Sequence, residues 1–153
     1  MRTDSLVGKV APEFSMVHEW INSRPLAIGS LKGKVVFLEF WTFDCYNCHQ
    51  DVPRMKHLHS EFAGDKFVLI GVHTPEFDFE RPPENVAEAV KRLGIEYPVA
   101  LDGTNATWKL YGNRYWPRQA LIDSTGELLW EHVGEVDSDK ISDRISSLLK
   151  TMG

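Results

Sequence analysis

Apolar residues along the chain fall into unbroken runs and into helical spacings. Two nearly continuous apolar runs, residues 34–41 and 67–72, predict strands covered on both faces, as is usual in parallel sheets. Residues 119–123 and 127–133 are also strand-like, and the Ser-Thr-Gly sequence at 124–126 predicts a turn between them. This last pair therefore predicts an antiparallel hairpin.

Other segments carry apolar residues every three or four positions, which is the spacing of a helix with one buried face. The predicted helices are residues 46–62, 85–93, 104–111 and 137–149. The second helix follows Pro82-Pro83 and ends before Gly94, and both are common boundary signals. Helices that alternate with strands, followed by a closing hairpin and helix, predict an α/β fold in which helices flank a mixed sheet.

Length and composition are those of an ordinary globular domain. The chain has 153 residues, enough for one buried core, so we expect a single domain over residues 1–153. Hydrophobic residues make up 42% of the chain and charged residues 25%, as in soluble proteins. The net charge of -5 and the lack of any Lys/Arg-rich run argue against a nucleic-acid partner.

The N-terminal residues are relevant to the cellular compartment in which the protein is expected. No apolar run reaches the ~18 residues of a membrane span, and residues 1–8 lack the apolar core of a signal peptide. If Met1 is the natural start, we expect a cytoplasmic protein. If the chain is cut from a larger exported protein, we expect an extracytoplasmic domain.

Cys45 and Cys48, the two cysteines of the chain, lie between the predicted strand 34–41 and the predicted helix 46–62. A Cys-x-x-Cys pair occurs in zinc sites as well as in redox centres. The loop between these cysteines is too short for a disulfide to remove much conformational entropy from the unfolded chain. A strand that delivers the pair to the first turn of a helix favours a redox-active dithiol.

The two cysteines are expected to have different roles. Cys45 lies at the start of the helix, where free N–H groups and the helix dipole favour a thiolate, so we expect it to attack. Cys48 lies one turn further along, so we expect it to be less exposed and to resolve the mixed disulfide. Tyr46 and Asn47 add no positive charge. Because Asp44 also opposes a thiolate, we expect the thiol of Cys45 to be only mildly acidic.

Glu39 is the one carboxylate within the apolar run 34–41. Burial of an ionised carboxylate costs free energy. We therefore expect the pKa of Glu39 to be raised.

Further motifs extend over nearly the whole chain. They are Ala11-Pro12-Glu13-Phe14, Trp20-Ile21-Asn22-Ser23-Arg24-Pro25-Leu26, Gly33-Lys34-Val35-Val36, Gly71-Val72-His73-Thr74-Pro75-Glu76-Phe77, Tyr97-Pro98-Val99-Ala100-Leu101-Asp102 and Tyr111-Gly112-Asn113-Arg114-Tyr115-Trp116-Pro117. Together with the order strand, Cys-x-x-Cys and helix, they resemble the thioredoxin fold, and within it the TlpA-like branch and DipZ-type domains. The resemblance implies a thioredoxin-like sheet with an N-terminal extension of the TlpA-like type.

The resemblance also implies roles for individual residues. Glu39 would accept the proton of Cys48 through water, and the alternative is a glutamate at the sheet end that is hydrogen-bonded to a polar group. Pro117 would follow a cis peptide bond and face the disulfide. Trp116 would line a groove for an extended partner segment or, alternatively, fill the core. Trp41 would pack around the cysteines at the substrate site.

By the same resemblance, the chain is expected to be a thiol-disulfide oxidoreductase that acts on protein thiols and disulfides, in the direction of a reductase. Electrons would travel through the sulfurs, so no cofactor is expected. The upstream electron donor would be a membrane carrier in an exported setting or a reductase in the cytosol. We expect a monomer.

A zinc site is one alternative for the cysteine pair. Its four ligands would be Cys45, Cys48 and two of His49, His57, His59 or His73. The first three histidines follow along the same predicted helix, and His57 lies on the face opposite to Cys48. This arrangement disfavours zinc.

Two further classes use the same fold. A peroxiredoxin-type peroxidase requires a proline four residues before the Thr or Ser that precedes its cysteine. Thr42 fits the second position, but Leu38 occupies the first. A binding module without turnover is the other alternative, and the presence of both cysteines disfavours it.

Overall fold

The structure, a computed structural model, describes residues 5–152. Within that range one sheet contains the strands β1 (Trp20–Ile21), β2 (Val35–Trp41), β3 (Phe67–His73), β4 (Val99–Leu101), β5 (Arg118–Ile122) and β6 (Leu128–Val133). The helices are α1 (Tyr46–Phe62), α2 (Pro83–Leu93), α3 (Ala106–Leu110) and α4 (Ser138–Thr151). Single 3-10 turns lie at Ile28–Leu31 and Asp78–Glu80.

The sheet is mixed, with strand order β1-β4-β3-β2-β5-β6. Strands β2, β3 and β4 are parallel, whereas β5 and β6 form an antiparallel hairpin beside β2. The short β1 pairs antiparallel with β4 at the opposite edge. The predicted mixed sheet flanked by helices, with its closing hairpin, is confirmed.

The bounds of most elements agree with the hydrophobic pattern. Helix α1 spans the predicted residues, and α2 begins two residues earlier because Pro83 is well suited to a first helical position. Strands β1 and β4 were not predicted from the sequence. They have two and three residues, too few to show a period of two.

The alternation of side chains along β2 divides the core into two layers. Phe37 and Trp41 belong to the layer under α1, α2 and α4, whereas Leu38 and Phe40 face the N-terminal segment and α3. Every residue of β2 is buried. By the same alternation, Glu39 points into the layer under α1.

Helix α1 covers this layer with the apolar stripe predicted from its spacing. Cys48, Val52, Met55 and Leu58 are all buried on that face. The stripe begins at Cys48, so the second cysteine is part of the core from the first turn of the helix onward.

Candidate active site

The loop after β2 places Cys45 at the N-terminus of α1. Cys45 is the N-cap residue, with extended backbone angles, and its Sγ accepts a hydrogen bond from the backbone N–H of Cys48 at 3.3 Å. Both cysteines are free thiols. Cys45 is partly exposed, whereas Cys48 is fully buried. The expected difference in exposure between the two sulfurs is therefore present.

The surroundings of Cys45 favour its thiolate. A hydrogen bond from the Cys48 thiol is the largest effect that lowers the pKa of Cys45, which falls to about 7. Backbone N–H groups of Cys48 and Asn47 act in the same direction, while burial and the charge of Glu76 oppose them. The thiol is thus mildly acidic, as the sequence predicted, although the opposing charge comes from Glu76 on another loop.

The surroundings of Cys48 favour its neutral thiol. Burial raises the pKa of Cys48 far above the usual thiol range, and the hydrogen bond it donates to Cys45 adds to this effect. The charges of Cys45 and Glu39 raise the pKa of Cys48 further. Of the two thiols, Cys45 is therefore the one that ionises near neutral pH.

Glu39 is buried in the middle of the sheet, at 2% exposure. Burial is the main cause that raises the pKa of Glu39 well above its usual value, followed by a hydrogen bond with Asp51 and the charge of Asp51. The amide Nε2 of Gln119, on the neighbouring strand β5, donates to Glu39 Oε2 at 2.9 Å. The predicted direction of the pKa shift is confirmed, and the polar partners of this carboxylate are a second acid and an amide.

Asp51 is a site residue that the sequence analysis missed. It is fully buried, and its Oδ2 accepts from the same Gln119 amide at 3.2 Å. Its Oδ1 accepts from Arg54 at 2.9 Å and from the backbone N–H of Val136 at 3.1 Å. Both oxygens of the Asp51 carboxylate therefore have hydrogen-bond donors in the interior. The available signal was an acid on the apolar stripe of α1, one turn after Cys48.

A cleft of about 500 Å³ opens beside the exposed sulfur. Cys45 and Tyr46 lie on one side of it, and Tyr115 and Trp116 come from the loop before β5. The peptide bond between Trp116 and Pro117 is cis, as the resemblance implied. Trp116 stacks on Trp108 with a ring separation of 4.1 Å and is partly exposed, so it both packs on the core and lines the cleft.

The expectation that Trp41 lies at the substrate site needs correction. Trp41 is 2% exposed and is not among the residues that line the cleft. Its ring packs edge-on against His73, with a centroid separation of 4.9 Å. Trp41 is the last residue of β2, and its side chain points into the core layer under α1. It therefore lies beneath the cysteine loop and away from the cleft.

His73 was considered from the sequence only as a possible zinc ligand and Glu80 not at all, yet both lie under the cysteine loop. His73 is 1% exposed and Glu80 is fully buried. His73 Nε2 accepts the backbone N–H of Phe43 at 3.2 Å, and Glu80 Oε2 accepts the backbone N–H of Asp44 at 3.0 Å. Burial lowers the pKa of His73 to about 4, so its ring is neutral at physiological pH.

Among residues 5–152, no three His, Cys, Asp or Glu side chains are grouped so that they could hold a metal ion. No helix within the same range is long and apolar enough to cross a membrane.

Residues 6–147 match the Redoxin family. The chain belongs to the Redoxin family. The protein DipZ of Mycobacterium tuberculosis is 40% identical over 142 residues, which make up 91% of this chain and 20% of DipZ. The chain therefore spans about a fifth of the length of this relative.

Two smaller relatives match over most of their own length. The thiol-disulfide oxidoreductase ResA of Bacillus thuringiensis is 28% identical, over 93% of this chain and 78% of ResA. The crystal structure of a thiol-disulfide isomerase from Corynebacterium glutamicum superposes with a TM-score of 0.80 at 29% identity, over 91% of this chain and 96% of that one. The predicted DipZ-like thioredoxin fold and the class of thiol-disulfide oxidoreductases are confirmed.

Proposed function

We propose that this chain is a single thioredoxin-like domain over residues 1–153 that reduces disulfides of partner proteins through Cys45 and Cys48. The observation that carries the proposal is the difference between the two thiols. Cys45 is partly exposed beside a cleft and has a pKa of about 7, whereas Cys48 is buried and stays protonated. A thiolate is the nucleophile in disulfide exchange, so Cys45 attacks first.

The first step is the attack of the Cys45 thiolate on one sulfur of the partner disulfide. The partner S–S bond breaks, a mixed disulfide forms, and the released partner thiolate takes a proton from solvent. The aromatic side chains of Tyr115 and Trp116 flank the approach to Cys45. The resemblance to thioredoxin-like proteins suggests that the partner segment is extended and pairs with the backbone before Pro117.

The second step releases the partner in its reduced form. Cys48 loses its proton and attacks the Cys45 sulfur, so that the mixed disulfide breaks and the second partner thiolate leaves. Two electrons have then passed to the partner, and Cys45 and Cys48 form a disulfide. The proton of Cys48 passes to the carboxylate form of Glu39, whose pKa is raised by burial, so that it is a stronger base than an exposed glutamate.

The moderate acidity of Cys45 supports exchange in the reducing direction. Strong oxidants of this fold have an attacking thiol with a pKa of about 3.5, which stabilises their reduced form. The pKa of Cys45, about 7, matches that of reducing thioredoxins. The oxidised domain is recharged by an upstream donor, either a membrane carrier or a cytosolic reductase.

Trapping of the mixed disulfide tests this proposal. In the Cys48→Ala variant we expect a long-lived mixed disulfide between Cys45 and a disulfide-bonded protein such as oxidised insulin. Non-reducing electrophoresis and peptide mass spectrometry measure the adduct. The matched Cys45→Ala variant should form none, since Cys48 is buried. An adduct that forms only through Cys48 would reverse the two roles, and no adduct with either variant would refute the exchange activity.

A further inference from the structure

The three residues before Cys45 are all held by two buried side chains from another part of the chain. The Thr42 hydroxyl donates to Glu80 Oε2, and the same oxygen accepts the backbone N–H of Asp44 at 3.0 Å. The N–H of Phe43 between them donates to His73 Nε2 at 3.2 Å. The peptide 42–44 therefore cannot rotate without breaking a hydrogen bond to a buried side chain.

Glu80 also holds a second segment with its other carboxylate oxygen. Glu80 Oε1 accepts the backbone N–H groups of Glu76 and Phe77 at 3.0 and 2.9 Å. Glu76 lines the cleft beside Cys45. A single buried carboxylate thus connects the loop that presents the reactive sulfur with the loop that forms a wall of the cleft.

Thr42, which Glu80 holds, is hydrogen-bonded to both cysteines. The Cys45 N–H donates to the Thr42 carbonyl at 3.3 Å, and a backbone hydrogen bond from Thr42 reaches the Cys48 sulfur. The Cys45 thiolate in turn depends on the N–H groups of Asn47 and Cys48. A rotation of the peptide 42–44 would move the sulfur away from these donors.

We propose that Glu80, together with His73, is a positioning residue for Cys45. The two side chains hold the peptide 42–44 so that Cys45 caps α1 with its sulfur over the first-turn N–H groups. Glu80 ties this arrangement to the cleft wall at residues 76–77. This inference rests on the proposed function. It adds to that function the residues that hold the attacking thiol in position.

The sign of one pKa change distinguishes positioning from simple electrostatics. Glutamine at position 80 has only one acceptor oxygen, so it can satisfy either the 42–44 peptide or the 76–77 segment. If Glu80 positions Cys45, Glu80→Gln loosens the loop and raises the pKa of Cys45. If Glu80 acts only through its negative charge, the removal of that charge favours the thiolate and lowers the same pKa.

The experiment measures the rate at which iodoacetamide alkylates Cys45 as a function of pH in the full reduced chain, with the modified residue identified by mass spectrometry. We expect the midpoint to move from about 7 in the unchanged protein toward the ordinary thiol value of about 8.5 in Glu80→Gln. A downward shift, or no shift, overturns the proposal. The measurement needs no protein partner, so it remains readable if the trapping experiment fails.

Asp102→Asn is the matched control for loss of a buried carboxylate. Asp102 is fully buried and accepts the Thr74 hydroxyl at 2.7 Å and two backbone N–H groups, from Thr107 and Trp108. None of these carboxylate hydrogen bonds involves the peptide 42–44. We expect Asp102→Asn to lower the urea midpoint of unfolding without moving the alkylation midpoint of Cys45, and an equal shift in both variants contradicts a specific role for Glu80.

A second pair of variants tests the same proposal if Glu80→Gln does not fold. Thr42→Val has nearly the same shape as threonine but removes the hydroxyl that donates to Glu80. We expect the alkylation midpoint of Cys45 to rise in Thr42→Val and to return in Thr42→Ser, which restores the hydroxyl. Equal midpoints in these two variants contradict the proposal.

Discussion

At the scale of single residues, the site depends on buried polar groups that satisfy one another. Glu39 was identified from the sequence because it interrupts an apolar run, whereas its partner Asp51 was missed. Asp51 lies in a helix that has many polar residues, so its position on the buried face was not recognised from the sequence. Only the structure shows that both carboxylates accept from Gln119 and lie buried behind Cys48.

Glu39→Gln separates the chemical role of this acid from its cost to stability. Glutamine can accept from Gln119 and donate to Asp51, as protonated Glu39 does. We expect the release of the partner from the mixed disulfide to slow by about a hundredfold, because the proton acceptor is altered. The preceding attack by Cys45 should keep its rate. Rapid quenching followed by mass spectrometry of the mixed disulfide measures both steps.

The same variant has an expected effect of opposite sign on stability. The folded-state pKa of Glu39 is raised, so the folded protein binds more protons than the unfolded chain above the unfolded pKa of about 4.3. Stability contributed by this group is present at low pH and is lost as the pH rises. Relative to the unchanged protein, Glu39→Gln should therefore gain free energy of unfolding between pH 5 and 8. A constant difference across this range, measured by urea unfolding, contradicts the assignment.

At the scale of secondary structure, the period of each element decides which side chains meet. The period of two in β2 places Glu39 on the same face as Phe37 and Trp41, under α1. The helical period then places Cys48 and Asp51 on the face of α1 that packs against that layer. These two periods were readable from the sequence, and together they account for the position of the buried acid behind the cysteines.

Strand β3 has a glycine, Gly71, in the packed layer under α1. A Cβ at Gly71 would lie 2.9 Å from Trp41 Nε1 and 3.0 Å from a ring carbon of Tyr97. We expect Gly71→Ala to lower the free energy of unfolding by roughly 2 kcal/mol, because these rings must shift in a packed interior. Urea unfolding followed by tryptophan fluorescence measures the loss.

Gly103→Ala is the control for the Gly71 prediction. A Cβ at Gly103 would meet no atom within 4 Å, so we expect a change within about 0.5 kcal/mol. A loss as large as that of Gly71→Ala would show that crowding against Trp41 is not the cause. Since Trp41 packs against His73, Gly71→Ala should also disturb the support of the cysteine loop.

At the scale of the whole molecule, the site is assembled from three parts of the chain that are distant in the sequence. The cysteine loop, the segment 73–80 after β3, and the loop before β5 together with β5 itself converge at one end of the sheet. The parallel arrangement of β2 and β3 places the ends of both strands side by side. This topology is what brings His73 and Glu80 beneath the residues that precede Cys45.

The buried histidine makes stability of the whole protein sensitive to acid. His73 has a folded-state pKa of about 4, whereas the unfolded value is about 6.5, so the unfolded chain binds more protons between these two pH values. The contribution of His73 is therefore present above pH 6.5 and is lost as the pH falls to 4. It corresponds to at most about 3 kcal/mol.

His73→Gln tests this acid sensitivity. Its side-chain oxygen can still accept the Phe43 N–H, but glutamine does not titrate. We expect the variant to lose less free energy of unfolding than the unchanged protein between pH 7 and pH 4.5, as measured by urea unfolding. Equal losses in the two proteins would assign the acid sensitivity to other groups.

The sequence by itself determined four of the six strands and the four helices of the described residues, the thiol pair at the start of α1 and the buried acid at Glu39. These features depend on spacing and on chain order, which a hydrophobic pattern records directly. Tertiary structure alone decided that Asp51 is the partner of that acid, that Trp41 lies below the site, and that Glu80 supports Cys45. Such contacts join side chains that are distant in the sequence, as Thr42 and Glu80 are at 38 positions apart, and their energies arise only when folding removes the groups from water.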